Sequence, residues 1–203
     1  SDTDGNFSAS FNNVDYFGTG IQRAGDLDSD GIEDLIVGAS FADDGGSNRG
    51  KIYQLYMNRN GRVKSHQAIS STQGGFGTGI DNADRFGASI TIIGDLDSDG
   101  VKDYAVSANE DDDGGTNRGA IYILFMNSNG TVKSKQKLSD TDGNFSYTLN
   151  DYDFLGMGLE GIGDLDSDGN GDLAIGIHQD DDAGTNSGAI CIVFLNSNGT
   201  VKS

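Results

Sequence analysis

The 203-residue sequence consists of one unit that recurs every 69 residues without insertion. The heptapeptide Gly-Asp-Leu-Asp-Ser-Asp-Gly stands unchanged at 25–31, 94–100 and 163–169, and the segment 127–134 returns as 196–203. A fixed period is typical of repeat architectures, in which each copy is one supersecondary unit that buries its apolar face against its neighbour. The sequence therefore predicts a single domain, 1–203, made of the repeats 1–69, 70–138 and 139–203.

Each repeat contains four short segments that predict β-strands, because they are rich in β-branched and apolar residues. In the second repeat they are Gly87–Gly94, Asp103–Ala108, Ala120–Met126 and Thr131–Leu138. The last two flank an Asn-Gly pair, the strongest short hairpin signal. Four antiparallel strands per repeat predict an all-β protein, a β-propeller of three four-stranded blades. The third repeat ends before the counterpart of 135–138, so we expect its outermost strand to be cut short.

The unchanged heptapeptide predicts a cation-binding loop. Together with a later Asp, each copy reads Asp-x-Asp-x-Asp-Gly-x-x-Asp, which can turn the oxygens of positions 1, 3, 5, 7 and 9 inward. Calcium takes about six to eight such oxygens, magnesium prefers a rigid octahedron, and the loop offers softer metals neither Cys nor His. We therefore predict about three Ca²⁺ per chain, held by three acidic loops: Asp26, Asp28, Asp30, Ile32 and Asp34; Asp95, Asp97, Asp99, Val101 and Asp103; and Asp164, Asp166, Asp168, Asn170 and Asp172.

These loops have two other interpretations. An EF-hand would carry a bidentate Glu at position 12, where this chain has Val37, Val106 and Ile175. Those residues lie in apolar runs, so the loop joins two strands instead of two helices. A solvated acidic turn is the remaining alternative, because Asp and Gly favour turns by themselves. Against it, four like charges within nine residues repel one another unless a cation lies among them.

The composition limits the partners and the chemistry. The net charge is −19, and Asp supplies nearly all of the acid. An acidic surface argues against nucleic acid and anionic lipid as partners, and no segment approaches the ~20 apolar residues that cross a bilayer. Cys191 is the single cysteine, so no intrachain disulfide can form, and we expect it to be a small buried residue. His66 and His178 do not recur between repeats, and the absence of a catalytic set predicts that the protein is not an enzyme.

The strand order assigns the connections to two faces. A meander places the acidic loops and the Asn-Gly turns on one face, and the second-to-third and blade-to-blade connections on the other. We call the latter the long-loop face. Its acidic, amide and basic residues are Asp43, Asp44, Asn48, Arg49, Asp111, Asp112, Asp113, Asn117, Arg118, Asp180, Asp181, Asp182 and Asn186.

A Phe-Gly element before the acidic loop and a Gly-Ala element after it resemble the FG-GAP repeat of integrin α-subunit β-propellers and their bacterial relatives. The elements here are Phe17-Gly18 with Gly38-Ala39, Phe86-Gly87 with Ser107-Ala108, and Leu155-Gly156 with Gly176-Ile177. The resemblance implies a ring of about seven blades with calcium in the loop between the first two strands of several of them. The departures are Leu155 in place of Phe, a long repeat, and Ser40, Asn109 and His178 in place of the family's Pro.

These features predict a calcium-binding extracellular or cell-surface scaffold for adhesion, with a protein or glycan ligand on the long-loop face. One alternative is a lectin-like, carbohydrate-binding propeller that uses Phe76, Tyr16, Tyr147 or Tyr152 for stacking. A hydrolase with paired carboxylates is another. Ser1 begins directly in repeat sequence without a signal peptide, which suggests a mature or excised segment. Three blades leave two open edges, so we expect a homodimer that closes a six-bladed ring, or else a fragment of a longer array.

Overall fold

The computed structural model describes residues 5–202 as three antiparallel sheets, with eleven strands and no helix in that range. Each sheet is a meander in which strands that follow one another in sequence are hydrogen-bonded neighbours. The strands are β1 (Phe17–Gly25), β2 (Asp34–Ala39), β3 (Lys51–Met57) and β4 (Val63–Ile69) in blade one; β5 (Phe86–Gly94), β6 (Asp103–Ala108), β7 (Ala120–Met126) and β8 (Val132–Leu138) in blade two; and β9 (Leu155–Gly163), β10 (Asp172–Ile177) and β11 (Ala189–Val193) in blade three.

The predicted all-β propeller architecture is confirmed. In blade two each strand begins and ends within one residue of its predicted bounds. Blade three has three strands, and a bridge between Leu195 and Val201 stands where the other blades have their fourth strand. This agrees with the expectation of a shortened outermost strand.

The Asn-Gly hairpins are tight turns followed by a bulge. In blade two the Gly130 N–H donates to the Asn127 carbonyl at 2.9 Å, and Gly130 has a φ of 80°. The pairing of β7 with β8 shifts register next to this turn. A left-handed glycine after a four-residue turn is the usual way to join two strands with a bulge, which explains why glycine follows Asn at each of these positions.

Successive blades are joined through the Phe-Gly element. The residue before β3 in blade one, Gly50, forms a parallel bridge with Phe86 of blade two, and the Phe86 N–H donates to the Arg49 carbonyl at 2.9 Å. Between blades two and three, the Leu155 N–H donates to the Arg118 carbonyl, also at 2.9 Å. Leu155 therefore fills the position of the family's Phe without loss of this junction.

The apolar core lies between neighbouring sheets as well as within them. One buried cluster joins Ile52 of blade one to Ile90 and Tyr104 of blade two, and another joins Ile121 of blade two to Leu159 of blade three. The sheets form an open row, in which β5 packs against blade one and β9 packs against blade two. Each blade therefore buries its apolar surface by covering the blade beside it.

Candidate metal centres

The three acidic loops adopt the same conformation and gather carboxylate oxygens. In each loop one oxygen from each of three aspartates lies within 4.8 Å of the others. The converging sets are Asp26, Asp28 and Asp34 in blade one; Asp95, Asp97 and Asp99 in blade two; and Asp164, Asp166 and Asp172 in blade three. Three of the four carboxylates predicted in each loop thus converge, and Asp30, Asp103 and Asp168 are not among them.

The aspartate at position 1 holds the curl of the loop. In the first loop, Asp26 accepts hydrogen bonds from the backbone N–H groups of Asp30 at 3.0 Å and Gly31 at 2.8 Å. The second and third loops repeat both bonds. Ser29 has a φ of 61°, in a region that residues with side chains rarely occupy. The side chains of the loop itself therefore stabilise a strained backbone that points oxygens toward one point.

The aspartate at position 9 fastens the loop to the third strand. Asp103 is fully buried, and its carboxylate accepts the N–H of Leu96 at 2.8 Å and that of Met126 at 3.0 Å. Asp34 and Asp172 make the equivalent pairs of bonds. Burial raises the pKa of Asp103 to about 6. Position 9 therefore has an anchoring role that the sequence analysis did not foresee, beside its predicted role as a ligand.

Position 7 contributes through its backbone. The N–H groups of Ile32, Val101 and Asn170 donate to the position-5 aspartate of their own loops at 3.0, 2.9 and 2.8 Å. This hydrogen bond orients the peptide group that precedes position 7. The carbonyl of position 7, which the sequence predicts as a ligand, belongs to the next peptide group. The carbonyl ligand itself stays a prediction.

A lysine that follows the Asn-Gly turn of the blade reaches into each loop, and the sequence analysis did not predict it. The Lys64 ammonium lies 2.7 Å from carboxylate oxygens of both Asp28 and Asp30. Lys133 bridges the corresponding pair of the second loop, at 2.6 Å from each carboxylate, and Lys202 contacts both members of the third pair. We call Lys64, Lys133 and Lys202 the loop lysines. They recur at the 69-residue period, which is the signal that could have revealed them.

The loop lysines affect the titration of the carboxylates they touch. Hydrogen bonds from their ammonium groups lower the pKa of Asp30 and Asp99, and that of Asp168 falls to about 2. The position-5 aspartates are therefore anionic at neutral pH and able to bind a cation.

The donor set fits a hard divalent cation. The converging atoms are carboxylate oxygens, which Ca²⁺ prefers. The Oδ1 atom of Asp97 is buried without a hydrogen-bond partner among the residues described. An unsatisfied buried oxygen is costly unless a further group lies against it. Asp97 belongs to the converging set of the second loop, where a cation would satisfy this oxygen.

The opposite face carries a different charged network. In blade two the Lys137 ammonium lies 2.8 Å from Asp111 and 2.6 Å from Asp113. Asp84 is buried nearby, and burial raises its pKa to about 7. Arg118 pairs with the blade-to-blade segment at Asp140 and Asp151. The loop between the second and third strands of blade two thus contacts the segment that joins blades two and three, as the meander predicted.

Two of the four aromatic residues predicted to stack on a sugar are already engaged. Phe76 is buried against the rings of Phe86 and Tyr122, so its prediction as a surface stacking residue is wrong. The Tyr147 hydroxyl donates to Asp180 at 2.9 Å. Tyr16 and Tyr152 are 56% and 53% exposed. Phe76 packs within the apolar cluster that contains Ile69 and Val132, which explains its burial.

Comparison with known proteins finds one matching family model and several similar relatives. The family model described as FG-GAP repeat matches residues 17–53. Mouse integrin alpha-2 is 36% identical over 165 residues, which cover 79% of this chain and 13% of the relative. Integrin alpha-5 of Xenopus laevis is 36% identical over 166 residues, 79% of this chain and 14% of the relative. Integrin alpha-4 of Xenopus laevis is 32% identical over 169 residues, 83% of this chain and 15% of the relative.

The chain therefore spans only about a seventh of the length of these curated relatives. Within residues 5–202 we find no helix with the length and apolar character needed to cross a membrane.

Proposed function

Because the chain is an integrin-like FG-GAP repeat domain, we propose that it is a calcium-stabilised extracellular scaffold that presents a protein-binding surface and catalyses no reaction. The observation that carries the proposal is the threefold convergence of aspartate oxygens in the acidic loops. Each loop holds four aspartates against one loop lysine, so the charge within it is far from balanced. A divalent cation would reduce this repulsion.

The calcium ligands are the residues predicted at positions 1, 3, 5, 7 and 9 of each loop, one ion per blade. The positive charge of the bound ion would hold the carboxylates together and so fix the loop that joins the first two strands of the blade. Binding to the folded state alone stabilises it by about 2.7 kcal/mol per site when free calcium is a hundredfold above Kd. Loops that bind weakly to moderately are filled where calcium approaches millimolar levels, which favours an extracellular or cell-surface location.

The long-loop face is the proposed surface for a protein ligand. Tyr16 and Tyr152 are exposed there, and aromatic residues are enriched at protein interfaces. The surrounding loops are acidic, with Asp112, Asp181 and neighbouring carboxylates. This combination suits a partner surface that is basic and carries its own apolar contacts.

A second copy of the chain is the proposed partner for the two free ends of the blade row. Ile121 of blade two is fully buried beneath blade three, whereas the equivalent Ile190 of blade three is 75% exposed. On the opposite end, Ile21 of blade one is 66% exposed, whereas its equivalent Ile90 is buried against blade one. Blade three of one copy and blade one of another thus offer the two halves of the existing blade-to-blade interface, and two copies would close a six-bladed ring.

Thermal unfolding in calcium and in chelator tests the calcium proposal. For a chain of this size, 2.7 kcal/mol at one site corresponds to a rise in Tm of about 5–10 °C. The double variant Asp97→Asn/Asp99→Asn should lose part of this rise, whereas Asp81→Asn, an exposed carboxylate of the long-loop face, should keep it. Equal Tm values in calcium and chelator would contradict the proposal.

The mass in solution tests the proposed dimer. Ile190→Asp places a charge on the free face of blade three and should convert a two-chain species into single chains. A wild-type protein whose mass equals one chain in calcium would rule out the closed ring of two copies.

A further inference from the structure

Each loop lysine occupies the position between the side chains at loop positions 3 and 5. The Lys133 ammonium lies 2.6 Å from one oxygen of Asp97 and 2.6 Å from one oxygen of Asp99. Lys64 bridges its own two carboxylates at 2.7 Å, and Lys202 contacts the equivalent pair. Three copies of one contact, each between the lysine that follows an Asn-Gly turn and an acidic loop, make it a property of the repeat.

From this geometry we infer that the loop lysines are tethered cations that compete with the metal ion for the acidic loops and so weaken its affinity. The inference rests on the proposed calcium binding and adds a regulator to those sites. Calcium binds carboxylate oxygens at about 2.3–2.6 Å, and the ammonium already holds two of the predicted ligand side chains in each loop. The ammonium and the ion would share the carboxylates of positions 3 and 5, and two positive charges at so short a distance repel each other, so the ammonium withdraws when the ion enters.

The release of the lysine needs little rearrangement. The side chains of Lys64 and Lys133 are 43% and 41% exposed, so water already reaches the ammonium end. A lysine side chain has four rotatable bonds and a strongly hydrated head group. It can turn outward into solvent while the strand that carries it stays paired in the sheet.

This competition has opposite consequences at low and high calcium. Without calcium, the ammonium offsets part of the repulsion among four carboxylates and helps the loop keep its shape. With calcium, the same ammonium is a local competitor whose effective concentration is high because the chain holds it beside the site. The loop lysines therefore lower the calcium affinity, so that the sites fill only where calcium is abundant. Where calcium is scarce, they stabilise the metal-free blade.

A neighbouring lysine carries the same charge but does not contact an acidic loop. Lys135 lies two residues after Lys133 on β8, but its ammonium donates to the carbonyls of Phe76 at 2.7 Å and Thr78 at 2.6 Å. It carries the same charge on the same strand and does not bridge an acidic loop. Lys135→Met is therefore the matched control for a general change in net charge.

The test compares calcium titrations of the wild type, the triple variant Lys64→Met/Lys133→Met/Lys202→Met and Lys135→Met by isothermal titration calorimetry. Methionine keeps the length of the side chain and removes the charge. The triple variant should bind calcium about tenfold or more tightly, on the scale known for groups that support metal ligands. Lys135→Met should stay close to the wild type.

A second measurement separates competition from a purely structural role. The triple variant should have a lower Tm than the wild type in chelator and an equal or higher Tm in saturating calcium. A variant that is destabilised equally in both conditions would overturn the inference. So would a wild type that binds calcium with the same Kd as the triple variant, and in that case the calcium proposal itself would stand.

Chemical labelling reports on the wild type without any substitution. Amine-reactive reagents should modify the loop lysines faster after calcium is added, while the labelling of Lys135 should not change. If neither the wild type nor the triple variant binds calcium, both the inference and the proposed function are wrong. If calcium binds and the loop lysines stay as protected as before, only the inference is wrong.

Discussion

Substitution of Lys137 should destabilise blade two strongly, because it leaves a buried carboxylate without its cation. The Asp111 side chain is only 3% exposed and pairs with the Lys137 ammonium at 2.8 Å. Removing one partner of a buried pair costs about 3–5 kcal/mol. Lys137 itself retains some contact with water, since its side chain is 18% exposed, so we expect Lys137→Met to cost about 3 kcal/mol, at the low end of that range.

Blade one supplies the matched control, because it lacks both partners of this pair. Its residues at the equivalent positions are Ala42 and Ala68, and both are buried. The repeat thus tolerates the absence of the pair as a whole. The double variant Asp111→Ala/Lys137→Met should therefore be more stable than the sum of the two single effects, with a coupling energy of about 2 kcal/mol.

Urea unfolding of the wild type, both single variants and the double variant at constant calcium measures this coupling. Saturating calcium keeps the acidic loops in one state, so that the differences report on the long-loop face alone. In thermal unfolding, the Tm of Lys137→Met should fall by about 6–12 °C, given about 2–4 °C per kcal/mol for a chain of this size. Single effects that add within 0.5 kcal/mol would show that the two residues act independently and would refute the reasoning.

Two further predictions concern the long-loop face and the blade junction. Burial raises the pKa of Asp84 to about 7, so its contribution to stability is complete below its unfolded pKa and is lost as the pH rises through about 7. Urea unfolding from pH 5 to 8 should show a smaller decline for Asp84→Asn than for the wild type, and parallel curves would contradict this. A Cβ at Gly119 would lie 2.6 Å from the Leu155 carbonyl oxygen, at a φ of 86°, so Gly119→Ala should cost about 2–4 kcal/mol in the same assay. Gly158→Ala is the control, since its Cβ would have no neighbour within 4 Å, and equal stabilities of the two variants would refute the junction argument.

The strands could be predicted from the sequence because three copies of one unit carry the same information. A single apolar run such as 104–106 fits either a strand or a buried helical segment. The recurrence of the run after each acidic loop, followed at a constant distance by Asn-Gly, leaves only a meander of strands. The bounds of β6 and β7 were accordingly predicted to the residue.

The convergence of the acidic loops could also be predicted, because it is a local property. Asp95, Asp97 and Asp99 lie within one turn of the chain, and the glycine at position 6 permits the bend. The convergence of their oxygens therefore does not depend on contacts with distant parts of the chain. A spacing rule is sufficient for such a site.

Contacts that depend on strand pairing could not be read from the spacing. Lys64 lies 36 residues beyond Asp28 and meets it only because β4 is the fourth strand of the same sheet. Likewise, Asp34 accepts the Met57 N–H because β3 pairs with β2. The 69-residue recurrence of the lysine marks it as a feature of the repeat, but neither that recurrence nor a backbone amide indicates the contact partner, so both contacts needed the fold to be known.

The distribution of charge links the acidic loops to the proposed ligand surface. The three acidic loops contain twelve aspartates, and with the three loop lysines they carry −9 of the net charge of −19. Three calcium ions would reduce the charge of this group to about −3, while the rest of the chain would keep its −10. Calcium would therefore shift the dominant negative field away from the acidic loops and toward surfaces such as the long-loop face. Since such a field steers oppositely charged partners and is screened by salt, the metal sites would influence ligand binding at the other end of the blades without any change of conformation.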